Sequence, residues 1–191
     1  VALPLLGSIA LQEAAKDVAA AAIVESGGGN GVKSWRRFSS NWWAARTSPD
    51  MSFLFSRAAV PTWWTQHPDV HPVLTGWLAG PRAESVAMLS SDEIIERAVG
   101  SLAQNFAVAP EWLKQQLVAS RAIDCGTDLF ARGAYSYATP STHQVLARVD
   151  RAHANVWFSG EAFYAGPEMG TVEAAFASGS RVVQAVLRGD A

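Results

Sequence analysis

Apolar positions recur along this chain with two periods, and the switches between them mark out its elements. Leu11 to Val24 is alanine-rich with charges at Glu13, Lys16 and Asp17, which predicts a helix ended by the cluster Ser26-Gly27-Gly28-Gly29-Asn30-Gly31. Val32 to Phe38 alternates and predicts a strand with Lys33, Trp35 and Arg37 on one face. Met51-Ser52-Phe53-Leu54-Phe55-Ser56 alternates as well, and Val73 to Ala79 is a third apolar run stopped by Gly80-Pro81. Three such runs joined by turn-rich linkers predict a mainly antiparallel sheet.

Helical spacing then takes over. Ser90-Ser91-Asp92-Glu93 has the form of a capping box, with Ser90 as cap and Glu93 reaching back. Behind it Ile94, Ile95, Ala98, Val99, Leu102 and Phe106 form one helical stripe. Leu117 to Ile123 reads as a strand and Thr142 to Val149 as a short helix. A second stripe, Val172, Ala175, Phe176, Gly179, Val182, Val183 and Val186, predicts a final helix lasting to about Arg188.

Composition narrows the class. A length of 191 residues, 49% hydrophobic and 17% charged, suffices for a sizeable core. Six of the eight tryptophans gather in the first half, at Trp35, Trp42, Trp43, Trp63, Trp64 and Trp77; they read either as an aromatic core or as a surface that lines a substrate cavity or faces further sequence. A net charge of −2 offers no basis for nucleic-acid binding. The single cysteine, Cys125, excludes an intrachain disulfide and suits a reducing, cytoplasmic compartment. The run Val18 to Val24 is too short to cross a bilayer and lacks a cationic leader, so a soluble protein is expected.

Three segments carry candidate chemistry. Asn155-Val156-Trp157-Phe158-Ser159-Gly160-Glu161-Ala162 reads as an apolar strand running into a Gly-acid turn. Gly170-Thr171-Val172-Glu173-Ala174-Ala175 opens the final helix with a glycine, where free N–H groups and the positive helix dipole favour an electron-rich ligand. Arg132-Gly133-Ala134-Tyr135-Ser136-Tyr137 lies upstream at the spacing of one helix plus one strand. In this order and spacing the three together resemble the C-terminal end of the flavin-containing amine oxidases, the monoamine and polyamine oxidases and their bacterial relatives.

That resemblance implies an α+β (mixed α/β) fold: a mainly antiparallel substrate-domain sheet with helices, over 1–130, and the last strand and helix of a Rossmann-like FAD-binding domain, over 131–191. It implies a noncovalently held FAD, because Ala134 stands where covalent members carry the flavin-attaching cysteine. The backbone of Gly160, Glu161 and Ala162 is then expected to face the pyrophosphate and ribityl chain. Gly170, Thr171 and Val172 are expected at the pyrimidine edge of the flavin. Tyr135 matches one wall of the aromatic sandwich of the monoamine oxidases, whereas the second wall falls on Thr171. Lys33, in Gly31-Val32-Lys33-Ser34-Trp35, matches the lysine that holds a water beside flavin N5.

Other features of such an enzyme have no match. No G-x-G-x-x-G turn follows a strand, and Val1-Ala2-Leu3-Pro4-Leu5-Leu6-Gly7 is similar to a mid-sequence strand of the family. The chain is therefore read as the C-terminal part of an amine oxidase, inactive alone, with the absent N-terminal portion or self-association covering its apolar surface. Two other readings stay open: a non-catalytic scaffold of the same fold, and a flavin desaturase or oxidase with a non-amine substrate. His67 and His71 are separated by Pro68 and give no metal site, Cys125 reads as packing, and Asp128 and Arg132 read as an ion pair steadying the loop before Tyr135.

Overall fold

The computed structural model describes residues 3–149 and 156–189. In chain order its elements are α1 (Leu3–Leu6), α2 (Glu13–Glu25), β1 (Gly27–Gly29), β2 (Gly31–Phe38), β3 (Phe53–Phe55), β4 (Thr62–Trp64), β5 (Val73–Ala79), α3 (Pro81–Glu84), α4 (Ser91–Phe106), α5 (Pro110–Gln116), β6 (Leu117–Asp124), β7 (Tyr135–Tyr137), α6 (Thr142–Val149) and α7 (Val172–Arg188). They sort into two compact units, one over Gly31–Asp124 and one built from the stretches on either side of it, up to Asn30 and from Cys125 onward. The fold is mixed α/β with antiparallel sheets.

The inserted unit is a five-stranded sheet in the order β3-β4-β5-β2-β6, antiparallel at every pairing. Alternation along β2 buries Val32, Ser34, Arg36 and Phe38 and leaves Lys33 and Arg37 exposed. On the buried side Val32, Phe38, Trp63, Leu74 and Leu78 meet the α4 stripe of Ile94, Ala98, Val99, Leu102 and Phe106. Trp42 and Trp43, in a 3-10 turn after β2, close that core edge-on, with their ring centroids 5.6 Å apart. The expected cap is present: Ser90 Oγ accepts from Glu93 N at 3.3 Å, and Glu93 Oε2 accepts from Ser90 N at 2.8 Å.

β4 is the strand that sequence reading does not find. Pro61 and the bulky pair Trp63-Trp64 hide its alternation, but the Trp63 ring lies over Gly76 of β5, where a Cβ would come within 2.8 Å of it. Small opposite large lets an indole pack flat on the neighbouring strand.

In the other unit α1, α2 and α6 share a core of Leu3, Leu6, Ala15, Val18, Ala19, Ala22, Val145, Leu146 and Val149. Three expectations are corrected here. The segment at Val1–Leu6 is expected as a strand; its first two residues lie outside the described ones, and Leu3–Leu6 forms a helical turn, which buries Leu3 and Leu6 while Leu5 is half-buried. The glycine cluster does not merely end α2: Gly27–Gly29 is itself a strand, β1. The expected strand at Asn155–Phe158 does not form in its described part: Asn155 lies outside the described residues, Val156 makes an isolated bridge, and Trp157 to Ser159 is irregular.

Candidate functional site

β1 and β7 pair antiparallel, with Gly27 opposite Tyr137, Gly28 opposite Ser136 and Gly29 opposite Tyr135. The glycines are needed because each tyrosine ring lies across the opposing backbone. A Cβ at Gly27 would fall inside the Tyr137 ring, and one at Gly29 would come within 2.8 Å of Tyr135. Gly28, opposite the small Ser136, has open space instead. The matched i, i+2 spacing of Gly27/Gly29 and Tyr135/Tyr137 is the signal that could have placed this ladder from sequence.

The three segments singled out in the sequence converge on Ser136. From the Gly160 turn, the Glu161 carboxylate accepts from Ser136 N at 3.2 Å and from Ser136 Oγ at 3.0 Å. From the start of α7, Gly170 lies so close that a Cβ would sit 2.9 Å from Ser136 O and 3.6 Å from the Tyr135 ring. Gly170 also has φ +88°, a conformation that L side chains rarely adopt. The Glu161 side chain is therefore engaged in holding β7.

The turn is fastened to α7 by Ser178, a residue that sequence reasoning passes over. Buried on the inner side of α7, Ser178 Oγ accepts from Gly160 N at 3.3 Å and donates to Phe163 O at 3.4 Å. Gly160 itself has φ +139°, and nothing lies within 4 Å of where its Cβ would be. Ala162 is buried behind it. At the helix start Thr171 is the N-cap: its hydroxyl accepts from Ala174 N at 3.1 Å and donates to Glu168 O at 2.7 Å. Its own N–H donates to Glu168 O, so the N–H groups that an N-terminus offers outward belong to Val172 and Glu173.

The loop before β7 is steadied differently from expectation. Among the described residues no ion pair joins Asp128 and Arg132. Asp128 Oδ1 instead accepts from Phe130 N at 2.7 Å and Ala131 N at 3.1 Å, and Arg132 turns the chain with φ +50°. Nor does any group of His, Cys, Asp or Glu form a metal cluster among the described residues.

Lys33 belongs to the inserted unit. It lines a pocket of about 480 Å³ on the sheet face opposite α4, with Phe53, Phe55, Thr62, Trp64 and Trp77. The strand registers explain the grouping: Lys33, Trp77, Thr62 and Phe55 lie in one cross-strand row, and Trp35, Thr75, Trp64 and Phe53 in the next. Trp42, Trp43 and Trp63 form core, while Trp64 and Trp77 line this pocket.

The residues present suit a flavin. Gly160 gives open backbone for close approach, and the capped, glycine-led start of α7 presents N–H groups and a positive dipole that suit an electron-rich group. Compared with known families, the chain matches the model of flavin containing amine oxidoreductases over residues 2–187. No curated protein matches it.

Proposed function

Because the chain belongs to the flavin-containing amine oxidoreductase family, we propose that it is the C-terminal part of an FAD-dependent enzyme that oxidises the C–N bond of an amine. A flavin held there would supply the redox chemistry, the two-electron oxidation of the carbon beside a neutral amine, with oxygen or another acceptor as final oxidant. The chain's own residues bind and orient. Gly160, Glu161 and Ala162 form the turn for the pyrophosphate and ribityl chain, and Gly170, Thr171 and Val172 form the helix start for the pyrimidine edge. Tyr135 guides the amine by its π-face, and Lys33 holds a water beside N5. With Ala134 at the attachment position, the FAD is held without a covalent bond.

The observation that carries this reading is the convergence of β7, the Gly160 turn and the α7 start on Ser136, through Glu161 and Gly170. It gathers in one place three segments that a flavin-binding end of this family requires. In this reading the adenosine half of FAD is held by a further stretch of polypeptide carrying a strand, a glycine turn and a helix. The same stretch, or a second copy of the chain, covers the apolar face of α7. The protein works in the cytoplasm, where its single cysteine stays reduced.

FAD titrated into this chain alone should bind no tighter than about micromolar, since the charge-assisted contacts to the adenosine half are missing. Nanomolar binding would contradict a division of the site between two stretches of polypeptide. The FAD-loaded complete enzyme, mixed anaerobically with amines, should lose its flavin absorbance. A panel of amines that leaves the flavin oxidised would overturn the enzymatic reading in favour of a scaffold or a non-amine substrate.

A further inference from the structure

The exposed face of the five-stranded sheet has a charge pattern that the proposed amine chemistry does not require. Lys33 and Arg37 lie on this face of β2, and Arg121 of β6 stands opposite Trp35 on the same face. All three are exposed. The other positions that the registers place there are Val73, Thr75 and Trp77 on β5, Thr62 and Trp64 on β4, Phe53 and Phe55 on β3, and Ala119 and Ile123 on β6. No aspartate or glutamate is among them. The face is therefore aromatic at one side, cationic at the other, and without a counter-ion of its own.

The aromatic side is open to a ligand. Phe53 and Phe55 are 59% and 74% exposed, and their rings lie parallel with centroids 5.9 Å apart. Trp64 tilts against Phe53 at 6.2 Å. Planar apolar groups gain most from such rings, and a pocket of about 480 Å³ admits one ring with a short side chain. Lys33 sits at the junction, in the row that ends at Phe55.

Resting on the reading of the protein as an amine-oxidising flavoenzyme, we propose that this groove takes an aromatic α-amino acid. The aryl group lies among Trp64, Trp77, Phe53 and Phe55, and the carboxylate is countered by Lys33. A simple aromatic amine leaves the cationic side uncompensated. A polyamine brings additional positive charge toward Lys33, Arg37 and Arg121, where like charges raise the cost of binding. Charge complementarity thus selects the carboxylate-bearing substrate, and aromatic packing selects its side chain.

Tryptophan fluorescence of the chain, titrated at low salt with phenylalanine, 2-phenylethylamine and spermidine, tests this directly. Phenylalanine should quench saturably and bind at least about tenfold more tightly than 2-phenylethylamine, a difference worth about 1.4 kcal/mol. Spermidine should show no saturable response. Lys33→Met should bring phenylalanine and 2-phenylethylamine to equal affinity, and added salt should narrow the gap in the parent. Phe55→Ala, at an exposed position that leaves the core intact, should weaken phenylalanine about tenfold. Equal or tighter binding of the plain amine, saturable binding of spermidine, an affinity ratio unchanged in Lys33→Met, or no binding of phenylalanine would each overturn the proposal. The functional reading fails separately: a groove that binds phenylalanine while the flavin-loaded enzyme stays oxidised leaves the ligand class standing and removes the activity.

Discussion

At the residue scale, the neighbourhood of Ser136 explains which glycines the chain requires. Gly170 combines φ +88° with a backbone oxygen 2.9 Å from any added Cβ, and neither can relax without moving β7. Gly170→Ala should therefore cost about 2–3 kcal/mol in urea unfolding, whereas Gly28→Ala, which meets open space, should cost under about 1 kcal/mol. Equal costs would mean that β7 does not press on the α7 start. Glu161→Gln keeps one acceptor but loses the charge that strengthens the bonds from Ser136, so a loss of about 1 kcal/mol is expected. Near-UV dichroism should register it as a change at Tyr135, and an unchanged tyrosine signal would separate Glu161 from the positioning of β7.

At the element scale, a helix and a strand place their charged groups in opposite ways. α4 buries its stripe against the sheet and is held at its start by the Ser90–Glu93 box. The backbone bond from Ser90, then the bond from its hydroxyl, hold the Glu93 carboxylate below its ordinary value of 4.5. The folded state thus gives up the Glu93 proton more readily than the unfolded state does. Its contribution is present above the unfolded pKa and lost as pH falls through the lower, folded one. Thermal stability should decline on acidification below about pH 5, and Glu93→Gln should flatten part of that decline. A Glu93→Gln curve parallel to the parent would show that the box does not couple to pH. Arg36, beneath β2, is the contrasting case of a charge kept inside: burial holds its pKa down to about 10, opposed by the charge of Glu96. Its guanidinium donates to Trp35 O at 2.7 Å and Ile95 O at 3.3 Å, tying the sheet to α4. Arg36→Ala should destabilise by about 2–4 kcal/mol, since it opens a cavity and removes that tie.

At the scale of the whole molecule, the outer face of α7 stands out. Ala174 and Ser178 are its buried residues, while Phe176 and Leu187 are 73% and 81% exposed and Val172, Val183 and Val186 are exposed beside them. A stripe of this kind on an amphipathic helix is surface that a stable monomer ordinarily covers. Dilute protein should accordingly enhance the fluorescence of an apolar dye, and light scattering at micromolar concentration should show a species larger than a monomer. Phe176→Glu with Leu187→Glu should reduce both signals. A compact monomer that binds no dye would mean that this stripe is covered in solution. No helix among the described residues is long and apolar enough to cross a membrane.

Most elements were legible in the sequence because their periodicity is local. The alternation of Val32–Phe38 and Val73–Ala79, the capping box at Ser90 and the stripes of α4 and α7 follow from side-chain direction alone, as did the exposure of Lys33. The spacing of the Tyr135, Gly160 and Gly170 segments carried the resemblance to the family whose model the chain matches over residues 2–187. What the tertiary structure decided lies between segments distant in the chain. Gly27–Gly29 became a strand only because two tyrosines more than a hundred residues away lie across it. The Glu161 side chain braces Ser136, Ser178 fastens the Gly160 turn, and β4 brings Trp64 into the pocket that Lys33 lines. α1 and α2 share their core with α6, far along the chain. Such outcomes depend on which surfaces meet, and local patterning fixes only which surfaces are available.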